Sequence, residues 1–361
     1  MSVRIADVGA VCAAGVGMAA FERWLAAPRS CLGPITHLDG EPWLPMHEGG
    51  VVPGWTAKVA RTCLPDRKAI KLMTRPVQFG VAAALEAWPE GLDAGGAVAG
   101  RAMYVGAAVA VDEDWTFREP INASIEDGRF DMRRFATAGH DVLNPLWLVR
   151  GLSNNVLAFT ALFRDIQGPN DNVEAGEAGP LIALATAARE IDLGRAHVAL
   201  AGGSDSLAAI DHLFHHHRHG TPITPGEAAC FARLEPGQSD DFGLLGSATG
   251  SVPHGPAQGP QAPQGAPDAL DRLLALAADR ADVVPSRVLV GPRLMAALQA
   301  VERPVDSTST SLWQHLGDAG AGSGALLLAA AWAGRSTEGP TALAACGPGG
   351  EIAVVILGTL P

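Results

Sequence analysis

Gly168-Pro169-Asn170-Asp171-Asn172-Val173-Glu174-Ala175-Gly176-Glu177-Ala178-Gly179-Pro180 is the stretch that decides how this chain is read. It leads into a helix-forming segment, residues 181–191, and then into the apolar strand His197-Val198-Ala199-Leu200-Ala201, closed by Gly202-Gly203-Ser204-Asp205-Ser206. A strand, a tight glycine turn, a buried helix and a second strand make a nucleophile-elbow arrangement, which presents one side chain at a helix N-terminus. Here that side chain is the carboxylate of Glu177. It can accept a proton or hold a charge, but it cannot act as a thiolate nucleophile.

Outward from this turn, composition narrows the class. The 361 residues are 48% hydrophobic and 18% charged, with 43 Gly and 26 Pro. That mix fits a compact α/β protein with many tight turns better than a coiled coil or a disordered chain. A net charge of −12 argues against nucleic acid and against an anionic membrane surface as partners. It leaves room for a local basic patch facing an acidic partner such as a carrier protein. Cys12, Cys31, Cys63, Cys230 and Cys346 are odd in number, dispersed, and contain no CxxC pair. Reduced thiols in a cytoplasmic protein are therefore expected, with no disulfide framework and no structural zinc. The opening Met1-Ser2-Val3-Arg4-Ile5-Ala6-Asp7 is too polar for a signal peptide. No segment offers about 20 apolar residues for a membrane span.

Strand and helix patterns alternate, which predicts a parallel or mixed sheet covered by helices. Strands are expected at 3–11 and 102–111, with helices at 18–26 and 149–163. A long helix is expected at 67–88, with Ile70, Met73, Val77 and Val81 on one face. Residues 247–267, rich in Gly, Pro, Gln and Ala, read as an exposed connection. Beyond it come a helix at 269–281 and a strand at 287–291. A weak internal repeat is visible. Gly176 to Gly179 leads into a helix and a strand ending in Gly202-Gly203. Gly317-Asp318-Ala319-Gly320-Ala321-Gly322-Ser323-Gly324 leads into a helix at 325–332 and a strand at 351–358. Two such halves, 1–219 and 220–361 in one compact unit, would bring both glycine turns to one central pocket if they met back to back.

With these segments in order, the chain resembles the β-ketoacyl synthase branch of the thiolase superfamily. The resemblance rests on Val8-Gly9-Ala10-Val11 and the later Arg29-Ser30-Cys31-Leu32-Gly33-Pro34-Ile35, and on Arg67-Lys68-Ala69-Ile70-Lys71-Leu72-Met73. Asn144-Pro145 with Ser153-Asn154-Asn155, and Pro225-Gly226-Glu227-Ala228-Ala229-Cys230, add to it. So does Cys346-Gly347-Pro348-Gly349-Gly350, while residues 168–203 are the strongest match. The resemblance implies an α/β thiolase-like α-β-α-β-α sandwich built from two related halves, forming a dimer. Catalytic members of that family carry the acyl chain on a cysteine and use two histidines to drive decarboxylation of malonyl-carrier protein. Here Glu177 falls at the nucleophile position. Val288-Leu289-Val290 runs into Gly291-Pro292-Arg293 with no His-Gly-Thr, and Asp318 follows Gly317 at the second-histidine position. The family's lysine has no counterpart among Leu312-Trp313-Gln314-His315.

The departures imply a non-condensing relative resembling a chain-length factor, which pairs with an active synthase, shapes the acyl tunnel and meets the acyl carrier protein. Phe163, Trp313, His315, Gly347 and Pro348 are the expected pocket-lining residues, with no cofactor and no metal. Two other readings stay open. One is an acyl-processing enzyme, such as a malonyl-carrier-protein decarboxylase that uses Glu177. The other is a stand-alone homodimer binding acyl chains or carrier protein. Glu177 and Asp318, if close, would share a proton as an acid/base pair. The simpler reading makes each a helix N-terminal anion. His212, His215, His216 and His219 share one helical face with His217 beside it, but a polar loop follows, so an exposed adventitious metal patch is expected there. Gly347-Pro348-Gly349-Gly350 lacks a following Lys-Ser/Thr and reads as a turn rather than a phosphate loop.

Overall fold

The computed structural model describes residues 2–38, 44–92, 96–108, 117–220, 223–253 and 263–361. Among them most strands form one mixed sheet, beside two small two-stranded ones. Its order is Arg287–Val290, Thr341–Cys346, Glu351–Thr359, Phe242–Ser251, Val3–Cys12, Glu227–Pro236, Val198–Ser206, Arg101–Ala107 and Asn170–Val173. Only two residue pairs, Val3 with Leu244 and Arg4 with Gly243, join Val3–Cys12 to Phe242–Ser251. That thin seam divides the sheet into a five-strand and a four-strand half that fold over one another. Glu227–Pro236 pairs with Val3–Cys12 and Val198–Ser206. The seam between the two half-sheets thus falls after residue 236. Hydrophobic alternation marks a strand but not the sheet it joins.

The alternation sorts the strand residues into separate cores. On the five-strand half, Ala102, Tyr104, Ala199 and Ala201 face inward, while Met103, Val105, Val198 and Leu200 face an outer cluster with Val77, Phe79 and Val81. On the four-strand half, Leu343, Ala345, Val355 and Leu357 face inward. Ala342, Ala344, Val354 and Ile356 face outward onto Leu270, Leu273 and Leu294. Between the half-sheets lie two helices, Gly179–Asp192 and Ala321–Gly334. Every residue from Ala321 to Ala331 is buried. A helix that is apolar all round has to sit inside a protein, and this one is clasped on both faces. The layers are therefore α-β-α-β-α, as the sequence led one to expect.

The turn helices and most strands lie within a few residues of their expected places. Two long helices do not. Instead of one helix over 67–88, the chain forms Arg67–Ile70 and then Arg75–Ala87, with Pro76 in the first turn of the second. Proline's missing N–H and its ring forbid a helix running through it from the N-terminal side. Likewise 149–163 divides into Trp147–Arg150 and Asn155–Arg164, broken at Gly151. The supposed connection at 247–267 begins as strand, since Phe242–Ser251 pairs along its length with Glu351–Thr359. Its middle, like the end of the strand expected at 102–111, lies outside the described residues.

Candidate functional site

The two glycine turns meet between the half-sheets. Gly176–Ala178 forms a short 3-10 turn that passes into the helix Gly179–Asp192, and Gly176 takes φ 48°, a left-handed conformation that favours glycine. A Cβ there would lie 2.6 Å from Pro348 Cδ, and one on Gly347 would strike the carbonyl of Ala175, so the C-terminal glycine loop is laid directly against the first turn. From the second turn helix, Gly324 packs on the backbone of Glu177 with no room for a side chain.

Glu177 is 3% exposed. Both carboxyl oxygens accept from the backbone N–H of Arg293 at 3.2 Å, and Oε1 lies 3.8 Å from the guanidinium Nε of the same residue. A Cβ on Gly291 would overlap Glu177 Oε2. The loop expected to lack the first histidine therefore has no space for one, because the glutamate fills it. Burial pushes the Glu177 carboxyl well above its usual range, and the charge of Asp318 adds to the rise. Arg293, through its charge and its backbone N–H, opposes it.

Asp318 is satisfied within its own turn. Its Oδ1 accepts from the N–H of Gly320 at 2.9 Å and from Ser323 Oγ at 3.0 Å. Burial raises its pKa too, while these bonds and the charges of Arg293 and His212 hold it down. Asp205, at the end of the strand Val198–Ser206, accepts from the N–H of Ala321 at 3.1 Å and so supports the start of the second turn helix. Burial raises this carboxyl as well. Three carboxyl groups thus share one neighbourhood, and two of them bind the opening of Ala321–Gly334, where the helix dipole favours an anion.

The other expected pocket residues divide. Gly347 and Pro348 lie at the Glu177 turn. Trp313 is buried and donates from Nε1 to the carbonyl of Val290 at 2.9 Å, backing the strand Arg287–Val290 just before Gly291. His315 turns away: its Nδ1 lies 2.8 Å from the carbonyl of Ser311 and its ring meets Trp24 edge-on at 6.4 Å. Phe163 packs against the outer cluster of the five-strand half. Helix Ile210–Arg218 carries His212, His215, His216 and His217, with His219 just past its end, and His216 at 6% exposure is not part of the exposed patch expected there. Among the described residues no three His, Cys, Asp or Glu side chains are grouped to hold a metal.

Sequence reasoning missed Arg293 as the cation of this site. The signal was present, an arginine two residues after the position where the histidine was missing. It also left Cys346 untested as a substitute nucleophile. That thiol is pushed up to about 12, first by burial and then by the charge of Glu177. At neutral pH roughly one such thiol in 10⁵ is ionised, too few for thioester exchange. The constellation can hold protons and bind an anion at Arg293. Among the described residues at this turn, neither Glu177 nor the raised Cys346 thiol is an activated nucleophile.

No match was found among curated protein sequences. The chain is similar in fold to the ishigamide ketosynthase/chain length factor, at 20% identity and TM-score 0.73 over 100% of both chains. A β-ketoacyl synthase from Burkholderia phymatum STM815 gives 17% and 0.72, again over 100% of both. A type II polyketide synthase acyl-carrier protein in complex with its ketosynthase bound to the hexaketide gives 15% and 0.69, over 100% of this chain and 99% of the other. These likenesses establish the thiolase-like ketosynthase fold. The model of the β-ketoacyl synthase N-terminal domain matches residues 2–232, well over half of the sequence and across the Glu177 turn, so the chain belongs to the β-ketoacyl synthase family.

Proposed function

We propose that this chain is a non-condensing, ketosynthase-like subunit of chain-length-factor type. It pairs with an active β-ketoacyl synthase in polyketide, aryl-polyene or fatty-acid-type biosynthesis and shapes the acyl tunnel. The observation that carries this reading is the packing at the first turn. Glu177, which we read as standing in the nucleophile position, fills the space beside Gly291, while Asp318 is bound to its own helix. Acyl transfer needs a soft, activated nucleophile, and a buried carboxyl anchored on the Arg293 N–H does not provide one.

Two surfaces support a partnered subunit. The segment 117–162 exposes Ile125, Phe130, Met132, Leu148 and Leu162, with Met132 at 68% and Leu162 at 70%. Apolar exposure on this scale is typical of a protein–protein contact. Nearby, Asn170–Val173 is an edge strand, with one described neighbour in the sheet. Elsewhere, 57–71 carries Lys58, Arg61, Arg67, Lys68 and Lys71, all exposed, against the single acid Asp66. It borders a cavity of about 360 Å³ lined by His37, Lys71, Arg75 and Arg150. Such a patch on a body of net charge −12 suits an acidic partner of the acyl-carrier-protein kind.

A second reading, an acyl-processing enzyme such as a malonyl-carrier-protein decarboxylase, is favoured by one observation: burial keeps the Glu177 carboxyl protonated above its usual range. Native mass spectrometry after co-expression with a synthase that keeps the cysteine and both histidines separates the cases. A one-to-one heterodimer is expected. A homodimer that ignores the synthase overturns the subunit reading. Decarboxylation by the isolated chain, lost in Glu177→Gln, establishes the second.

A further inference from the structure

Helix Ile210–Arg218 is anchored on one side and bare on the other. Ile210 and Leu213 are buried in a cluster with Ile35, Leu38 and Leu44, and His216 is buried as well. His215 and His219, four residues apart, are exposed at the last turn, where the N–H of His219 closes on the carbonyl of His215. Their rings stand 4.6 Å apart, centre to centre, at an interplanar angle of 49°. Among the described residues neither ring enters a hydrogen bond or an ion pair, and the other ring neighbour of His215 is His216, edge-on at 5.6 Å. His217 is exposed too, but residues two apart on a helix do not face each other, so it stands off the face that His215 and His219 share. The anchored side holds the helix still and presents this pair of imidazoles to water ready-made.

We propose that His215 and His219 form a two-imidazole chelate for a late divalent first-row metal ion, copper(II) or nickel(II), at the C-terminal end of this helix. Histidines at i and i+4 project from one helical face and can close on a single ion. Bonds of about 2.0–2.1 Å to such an ion set two imidazole nitrogens about 3 Å apart. Rim nitrogens of rings centred 4.6 Å apart reach that spacing by side-chain rotation alone. The cation also meets the negative end of the helix dipole. Arg218, exposed beside the pair, opposes it weakly because water and salt screen its charge. Among the described residues no third His, Cys, Asp or Glu completes the set, so the other coordination positions are left to water. Two ligands do not make the closed four-ligand sphere of structural zinc. They suit ions that take imidazole and water together in tetragonal geometry. The pair shares no residue with the Glu177 turn, so the subunit reading and this site are tested separately.

Isothermal titration of the untagged full-length chain with nickel(II) chloride, in a non-chelating buffer at neutral pH, tests this. One equivalent is expected to bind. His215→Gln and His219→Gln should each weaken binding at least about tenfold, because a single imidazole loses the advantage of two ligands on one scaffold. His217→Gln, off the shared face, should change it less than about twofold. No binding, or an unchanged affinity in His215→Gln or His219→Gln, overturns the proposal. An equal loss in His217→Gln overturns it as well, since a run of histidines would then be taking nickel adventitiously. A readout on the unmodified chain guards against a variant that fails to fold. Nickel(II) should slow diethyl pyrocarbonate labelling of His215 and His219 and leave His217 unprotected, as followed by fragment-resolved mass spectrometry. Equal protection of all three, or protection of none, rejects the site.

Discussion

The two turn-helix units are built alike and use their carboxylates differently. In the second, Asp318 serves its own helix, accepting from Gly320 and Ser323 within five residues of itself. In the first, Glu177 reaches across the molecule to the backbone of Arg293, 116 residues away in sequence, and is buried with little else to satisfy it. A local cap is cheap to satisfy and hard to turn to other uses. A carboxyl held by one distant N–H has its pKa raised by burial, with the charge of Arg293 opposing the rise. The two turns thus use their carboxyl groups unequally: one caps its own helix and the other packs against a distant loop.

The largest effect is expected where the two units touch. Gly324→Ala drives a methyl group into the backbone of Glu177 and should cost about 3 kcal/mol, measured by chemical denaturation. Wild-type stability in that variant would mean the turns do not meet as described. Next, Asp318→Ala removes two hydrogen bonds at the start of a buried helix and should cost about 1–2 kcal/mol. Asp318→Asn should recover part of it, since an amide oxygen still accepts.

Glu177→Gln should act in the opposite direction, and with a pH signature. Its folded pKa lies above the ordinary glutamate value of 4.5, so the folded chain holds the proton longer than the unfolded one. Stability from this group is full below that value, falls as pH rises toward the folded pKa, and is level beyond it. Glu177→Gln should therefore match the wild type at pH 4 and melt higher at pH 8. A difference that shrinks with rising pH would reverse the assignment. The smallest effect is expected from His216. With a folded pKa of about 4 against an ordinary 6.5, it withdraws stability as pH falls through that interval. His216→Asn should flatten that acid limb of a melting-temperature profile, leaving the slope above pH 7 unchanged.

Much of this was legible in the sequence. The alternation at 198–206 and 351–359, and the glycine turns before 179 and 321, marked the elements that hold the site, because period and turn chemistry are local signals. The helix breaks at 71–74 and 151–154 were less visible, since apolar spacing ran through them and only Pro76 and Gly151 gave them away. The site was half legible. Glu177 could be named from its place in a glycine turn before a helix, and Asp318 from the family resemblance. Arg293 could not, and His216 only as one of a row of histidines. Their importance comes from unpaired nitrogens and from neighbours on another helix, and no local pattern records either. His315 and Phe163 look eligible by chemistry, yet packing turns them toward Trp24 and the outer cluster.

The claim that covalent acyl chemistry has been lost is tested most directly by intact-mass measurement of the purified chain after incubation with an acyl thioester of a carrier protein. The account predicts an unchanged mass at all times, while an active synthase under the same conditions gains one acyl group. An acyl adduct on the Glu177 turn or on Cys346 would contradict it.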